Sequence, residues 1–203
     1  MTDTQQLNTD AVAKWLEANM DGFQGPITAE KLNVGQSNPT FRLDTPTGPY
    51  VLRRKPPGQL LKSAHAVDRE FRVQSALADT DVPVAKMHVL CEDPDVIGSD
   101  FYVMEAVAGR NIDDPRIPEV SNKERAAIYA EMCRVLAAIH EVDIEAVGLS
   151  DYGPPGNYFE RQIGRWTKQY RASETECIAD MDALIDWLPA NIPDDDQRRL
   201  VHG

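Results

Sequence analysis

Gly35-Gln36-Ser37-Asn38 stands between two strand-like runs. Glycine lacks a Cβ, so its backbone can approach a phosphate closely, and the small polar residues beside it can donate to phosphate oxygens. The same four residues also suit an ordinary hairpin turn. Tyr50 to Lys55 (YVLRRK) supplies cations. Strand alternation sets Val51, Arg53 and Lys55 on one face and Tyr50, Leu52 and Arg54 on the other. Arg53 or Lys55 could then hold nucleotide phosphates, although a charged edge strand reads the same way. In DREFRVQSAL, Glu70 borders the apolar stripe that includes Phe71. Its carboxylate can turn inward to a strand cation or outward to an i,i+4 partner. FYVMEAVAGR (Phe101 to Arg110) runs an apolar strand straight into a glycine-containing connection. Its last backbone groups could meet a flat heterocycle, or it is a central strand with a plain exit.

The elements that must position these groups are legible in order. Thr9 or Asp10 is expected to cap a first helix with Val12, Trp15 and Leu16 on one face. Strands are expected at Ile27–Val34, Thr40–Asp44 and Pro49–Lys55, with a turn at Thr45–Gly48. Ser63 can cap a helix from Ala64 to about Ala78. Strands at Val82–Glu92 and Phe101–Val107 follow, separated by DPDVIGSD. This is a five-stranded antiparallel α+β lobe with one inserted helix. After AGRNIDDPRIPEV the pattern turns helical. Ser121 to Glu124 (SNKE) reads as a capping box for a helix carrying Ile128, Val135, Leu136 and Ile139. Two more amphipathic helices carry Phe159, Ile163, Trp166 and Tyr170, then Ile178 to Leu188 with Pro189 as the stop. Trp166 and Tyr170 could line a substrate cleft, but are expected to pack in helix cores. The expected organisation is a lobe over residues 1–108, a hinge over 109–120 and a helical part over 121–203.

The 203 residues carry a net charge of −12, which argues against coating nucleic acid or an anionic membrane. No apolar run spans a bilayer and no secretory signal opens the chain. Cys91, Cys133 and Cys177 have neither zinc nor redox spacing. They read as reduced, mostly buried thiols of a cytoplasmic protein.

Taken in order, the glycine turn, basic strand, acidic helix, apolar strand and helical remainder resemble the aminoglycoside phosphotransferase and choline kinase superfamily, small-molecule relatives of the protein kinases. The likeness covers nearly the whole chain after Phe23 and is strongest to the branch fused, in some eukaryotes, to an acyl-CoA dehydrogenase. GQSNPTF, YVLRRKPPGQLLKSAHAVDREFRVQSAL and FYVMEAVAGR carry it.

The resemblance implies a protein-kinase-like fold and an ATP- and Mg-dependent phosphotransferase acting on a small-molecule hydroxyl, with a hydroxyacyl-type acceptor such as a CoA thioester. Gly35, Gln36, Ser37 and Asn38 would cover the phosphates. Val51 would lie against adenine, and Arg53 would replace the family's phosphate-binding lysine, with Lys55 as the other candidate. Glu70 would orient the cation, and Met104 would be the gatekeeper. The Glu105 carbonyl and the Val107 N–H would meet the adenine edge. His202 and Gly203 match the start of a His-Gly-Asp catalytic loop whose aspartate and metal ligands would follow Gly203, so these residues alone are expected to be inactive. The alternative is a nucleotide-binding, pseudokinase-like regulator without catalysis. His65 receives no role.

Overall fold

The computed structural model describes residues 7–32, 38–56, 65–154, 156–194 and 198–201. They pack as two units, Met1–Ala138 and Ile139–Gly203.

The first unit is built on a five-stranded antiparallel sheet in the order β1-β2-β3-β5-β4. Its strands are β1 (Thr28–Leu32), β2 (Thr40–Thr45), β3 (Gly48–Arg54), β4 (Met87–Cys91) and β5 (Phe101–Glu105). Helix α1 (Thr9–Asn19) precedes the sheet and α2 (Val67–Ala76) is inserted after β3. The α+β class and the single long inserted helix match the sequence expectation. Gly48 closes the β2–β3 hairpin at φ 125°, in the region that favours glycine.

Side chains on the two faces of the sheet do different things. Register pairs Phe41 with Leu52, and Leu52 with Val103 and Arg54 with Phe101. On this face Phe41, Leu43, Leu52, Phe101 and Val103 form the core with Val12 and Leu16 of α1. The rings of Trp15 and Phe101 meet edge to face at 5.3 Å. Burying Val12 and Leu16 fully contributes about 1.5–3 kcal/mol each. The opposite face carries Val51, Arg53, Tyr102 and Met104, and α2 lies there, with Phe71 6.1 Å from the Tyr102 ring.

Several local expectations are corrected. Asn8, not Thr9 or Asp10, caps α1: its side-chain oxygen accepts from the Ala11 N–H at 3.1 Å. Helix α2 starts at Val67, later than the expected Ala64, with no side-chain cap on Ala66; Ser63 and Ala64 lie outside the described residues. The fourth strand is shorter than expected, since Pro83 cannot donate to a ladder. DPDVIGSD contains a short helix, α3 (Pro94–Ile97), capped by Asp93 and ended by Gly98 in the left-handed region. Only Cys91 is buried; Cys133 and Cys177 are exposed.

Helix α4 (Asn122–Glu141) begins on the expected cap, with Ser121 Oγ accepting from the Glu124 N–H. The Glu124 carboxylate instead takes Arg110 at 3.0 Å, tying the connection to the helix. In the second unit α5 (Tyr158–Ser173) packs on α6 (Ala179–Ala190). Pro189 lies inside α6 rather than ending it. Trp166 is exposed, with the Arg165 guanidinium 5.5 Å over its ring, so it is not a core residue. Among the described residues no helix is long and apolar enough to cross a membrane.

Candidate nucleotide site

The face opposite α1 gathers most of the described candidate residues. Arg53 sits in β3 between Thr40 of β2 and Tyr102 of β5. Glu70 lies one turn into α2, close above that strand. The Arg53 Nε is 2.8 Å from Glu70 Oε2, both side chains being about one quarter to one third exposed (25% and 33%). The Nε–H does not point along this line and finds no hydrogen-bond acceptor, so the contact is an ion pair rather than an aligned hydrogen bond. Parity alone left two cations on this face. The second, Lys55, is engaged elsewhere: its ammonium contacts the Asp100 carboxylate, with Asp68 at 3.8 Å. The hydrogen bond that Lys55 donates to Asp100 raises the Lys55 pKa, against the opposing effect of burial. Glu70 therefore takes Arg53, and Lys55 belongs to the β3–β5 margin.

Two further side chains converge on the Glu70 carboxylate. Buried Asn38 donates through Nδ2 to Oε1 at 3.0 Å. The Tyr102 hydroxyl donates to Oε2 at 3.0 Å. Both oxygens are thereby satisfied, as a shielded carboxylate requires. The sequence reading missed Tyr102; strand alternation from Met104 identifies its face, but only the fold shows that Glu70 lies there. Burial first, and then the negative charge of Glu70, push the Tyr102 pKa up to about 12.

That shift gives a stability prediction. The folded pKa lies above the unfolded value near 10, so the protonated phenol contributes its full stability below pH 10 and loses it as pH rises through about 12. Tyr102→Phe is expected to be less stable than wild type by roughly 1 kcal/mol at neutral pH. The gap should close between pH 10 and about 12. Urea unfolding at stepped pH measures it, and a gap constant across that window would exclude the raised Tyr102 pKa.

Val51 and Met104 are register partners on the same face as Arg53, and Met104 also pairs with Met87 of β4. They form an apolar shelf beside the cation. Glu105 closes the sheet through its N–H to the Lys86 carbonyl at 2.8 Å, and its carboxylate accepts from the Lys86 N–H. Val107 follows beyond the strand and is 66% exposed. An apolar shelf, a held guanidinium and a strand end on one face can accept a flat base and an anionic tail. Gly35, Gln36, Ser37, His202 and Gly203 lie outside the described residues.

The model of the phosphotransferase enzyme family matches residues 28–203. Acyl-CoA dehydrogenase family member 11 of Mus musculus is 47% identical over 194 residues, covering 93% of this chain and 25% of its own length. Family member 10 of the same species is 44% identical over 201 residues, covering 98% of this chain and 19% of its own. The chain thus spans a quarter or less of these curated relatives. A crystal structure described as an aminoglycoside phosphotransferase from Ralstonia eutropha JMP134 is 55% identical, with a TM-score of 0.78, over 94% of this chain and 55% of that one. Matched over most of its length in sequence, and in fold to a solved relative, the chain belongs to the phosphotransferase enzyme family.

Proposed function

We propose that the intact protein is an ATP-dependent phosphotransferase that phosphorylates a hydroxyl of a small acyl-type acceptor, a hydroxyacyl-CoA in particular, in the cytoplasm. The observation that carries the reading is the Arg53–Glu70 ion pair on the same face as the Val51–Met104 shelf. In this reading adenine lies against Val51 and Met104, with its edge at the Glu105 carbonyl and the Val107 N–H. Arg53 neutralises the phosphates, Glu70 fixes the guanidinium, and Gly35, Gln36 and Ser37 cover the phosphates, while the buried Asn38 side chain holds Glu70. His202 and Gly203 open the catalytic loop. Phosphoryl transfer is mostly positioning and charge stabilisation, so a pre-set cation of this kind is what a protein can contribute. The family implies a divalent metal, magnesium. Among the described residues no cluster of three acidic, histidine or cysteine side chains could hold one.

Two observations favour an acyl-CoA-type acceptor over an aminoglycoside. The curated relatives are acyl-CoA dehydrogenase family members. In a chain of net charge −12, one groove along α5 is lined by Arg161, Arg165 and Lys168 against a single acid, Glu160. A basic groove suits a phosphate-bearing acceptor and repels a polycationic aminoglycoside. The test is ADP formation by the intact protein with ATP and magnesium across hydroxyacyl-CoAs, free hydroxy acids and aminoglycosides, with the product identified as a phosphate ester. Turnover confined to the hydroxyacyl-CoAs is expected. Turnover of aminoglycosides alone would reassign the acceptor. ATP binding without turnover of any acceptor would favour a regulatory nucleotide-binding module.

A further inference from the structure

His65 stands just before α2 with φ 60°. A non-glycine residue in the left-handed region carries roughly 1–2 kcal/mol of strain, so something must hold it there. Its main chain accepts from the Val67 N–H at 2.9 Å. Its ring Nδ1 lies 2.8 Å from Asn38 Oδ1. Asn38 is 3% exposed, and a buried amide needs partners at both ends. Its Nδ2 donates to Glu70 Oε1 at 3.0 Å, so its Oδ1 is the end turned to His65. Its main-chain carbonyl accepts from Thr40 Oγ1 at 3.1 Å. An amide oxygen can only accept, so the imidazole must donate, which assigns the proton to Nδ1. The chain of contacts runs from His65 to Asn38 to Glu70 to Arg53. It joins residues 27 and 32 positions apart.

We propose that His65 is a positioning residue of the nucleotide site: its Nδ1–H orients the Asn38 amide, which holds the Glu70 carboxylate where it sets Arg53. This rests on the nucleotide reading above. Without the imidazole donor, Asn38 Oδ1 is left unsatisfied, and the amide is less firmly held in the orientation that keeps Nδ2 on Glu70. One of the two carboxylate oxygens then loses its donor, and the guanidinium is less pre-organised for phosphates. In this proposal His65 acts through Asn38, its ring partner.

The left-handed backbone allows a clean pair of variants. His65→Gly tolerates φ 60° and removes the donor. His65→Asn tolerates the same backbone and returns an N–H close to the position of Nδ1. ATP affinity of the intact protein is to be measured by calorimetry for wild type, both variants, Arg53→Ala, and His65→Gly combined with Arg53→Ala. The expectation is a roughly fivefold weaker affinity in His65→Gly, recovery to near wild type in His65→Asn, and no further loss when His65→Gly is added to Arg53→Ala, since coupled residues do not add. A long-range proton–nitrogen spectrum of the wild type should show the neutral ring protonated on Nδ1, with that preference lost in Asn38→Ala. Equal affinity in wild type and His65→Gly, failure of His65→Asn to recover, additive losses, or a ring protonated on Nε2 would each overturn the proposal. A wild type that binds no ATP would instead remove the nucleotide reading, and the role of His65 with it.

Discussion

Arg53→Ala is expected to weaken ATP binding to the intact protein by roughly 10- to 100-fold, the range for removing a charge-assisted contact of about 1.5–3 kcal/mol. The loss should be confined to nucleotides carrying phosphates, with adenosine unaffected. Arg53→Lys should fall between, because an ammonium keeps the charge but not the planar fork. Lys55→Ala supplies the contrast. Its ammonium is committed to Asp100 and Asp68, so ATP affinity should stay within about twofold. The protein should lose at most about 1 kcal/mol of stability, as suits a partly exposed pair. Calorimetric titration of the three variants decides the matter. An Arg53→Ala protein that binds ATP like wild type, or a larger loss in Lys55→Ala, would move the phosphate cation from Arg53 to Lys55. Glu70 explains the asymmetry: it pairs with Arg53, and its remaining capacity is taken by Asn38 and Tyr102.

Phe101→Ala is expected to cost about 3–5 kcal/mol, the usual loss for deleting a fully buried aromatic ring. Phe101 is wholly buried, stands opposite both Arg54 and Cys91 in the sheet, and stacks edge to face on Trp15. Its removal opens a void at the seam between the sheet and α1. Hydrogen exchange is the appropriate measurement, because two packing units need not unfold together. Amides of α1 and of β3 should exchange faster, while those of α5 keep their wild-type rates. Unchanged protection in α1 would show that the helix does not share the core of the sheet. Val107→Ala, at an exposed site, should stay within about 0.5 kcal/mol.

Much of the first unit is legible in the sequence. Alternation in YVLRRK separates Leu52 and Arg54 from Val51 and Arg53, and the sheet keeps that division: Leu52 is in the core with Phe41, while Arg53 faces α2. The apolar spacing of Val12, Trp15 and Leu16 marks the buried face of α1. These readings succeed because they depend on side-chain period, a property of a few consecutive residues. The cap on α1 was misread for a related reason. Asn8, Thr9 and Asp10 are all good N-cap residues, and one residue of register decides among them.

The sequence by itself determined the order of the strands and of every helix but the short α3, the two faces of β3, and a cation and a carboxylate as candidate partners. The tertiary structure decided which cation the carboxylate takes. It also brought Asn38, His65 and Tyr102 into one network around Glu70. The reason is that β5 inserts between β3 and β4, placing Tyr102 directly beside Arg53, and no local period encodes the pairing of strands some fifty residues apart. Hydrogen-bond partners are chosen by that long-range register, so a polar network can be recognised only once the sheet has closed around it.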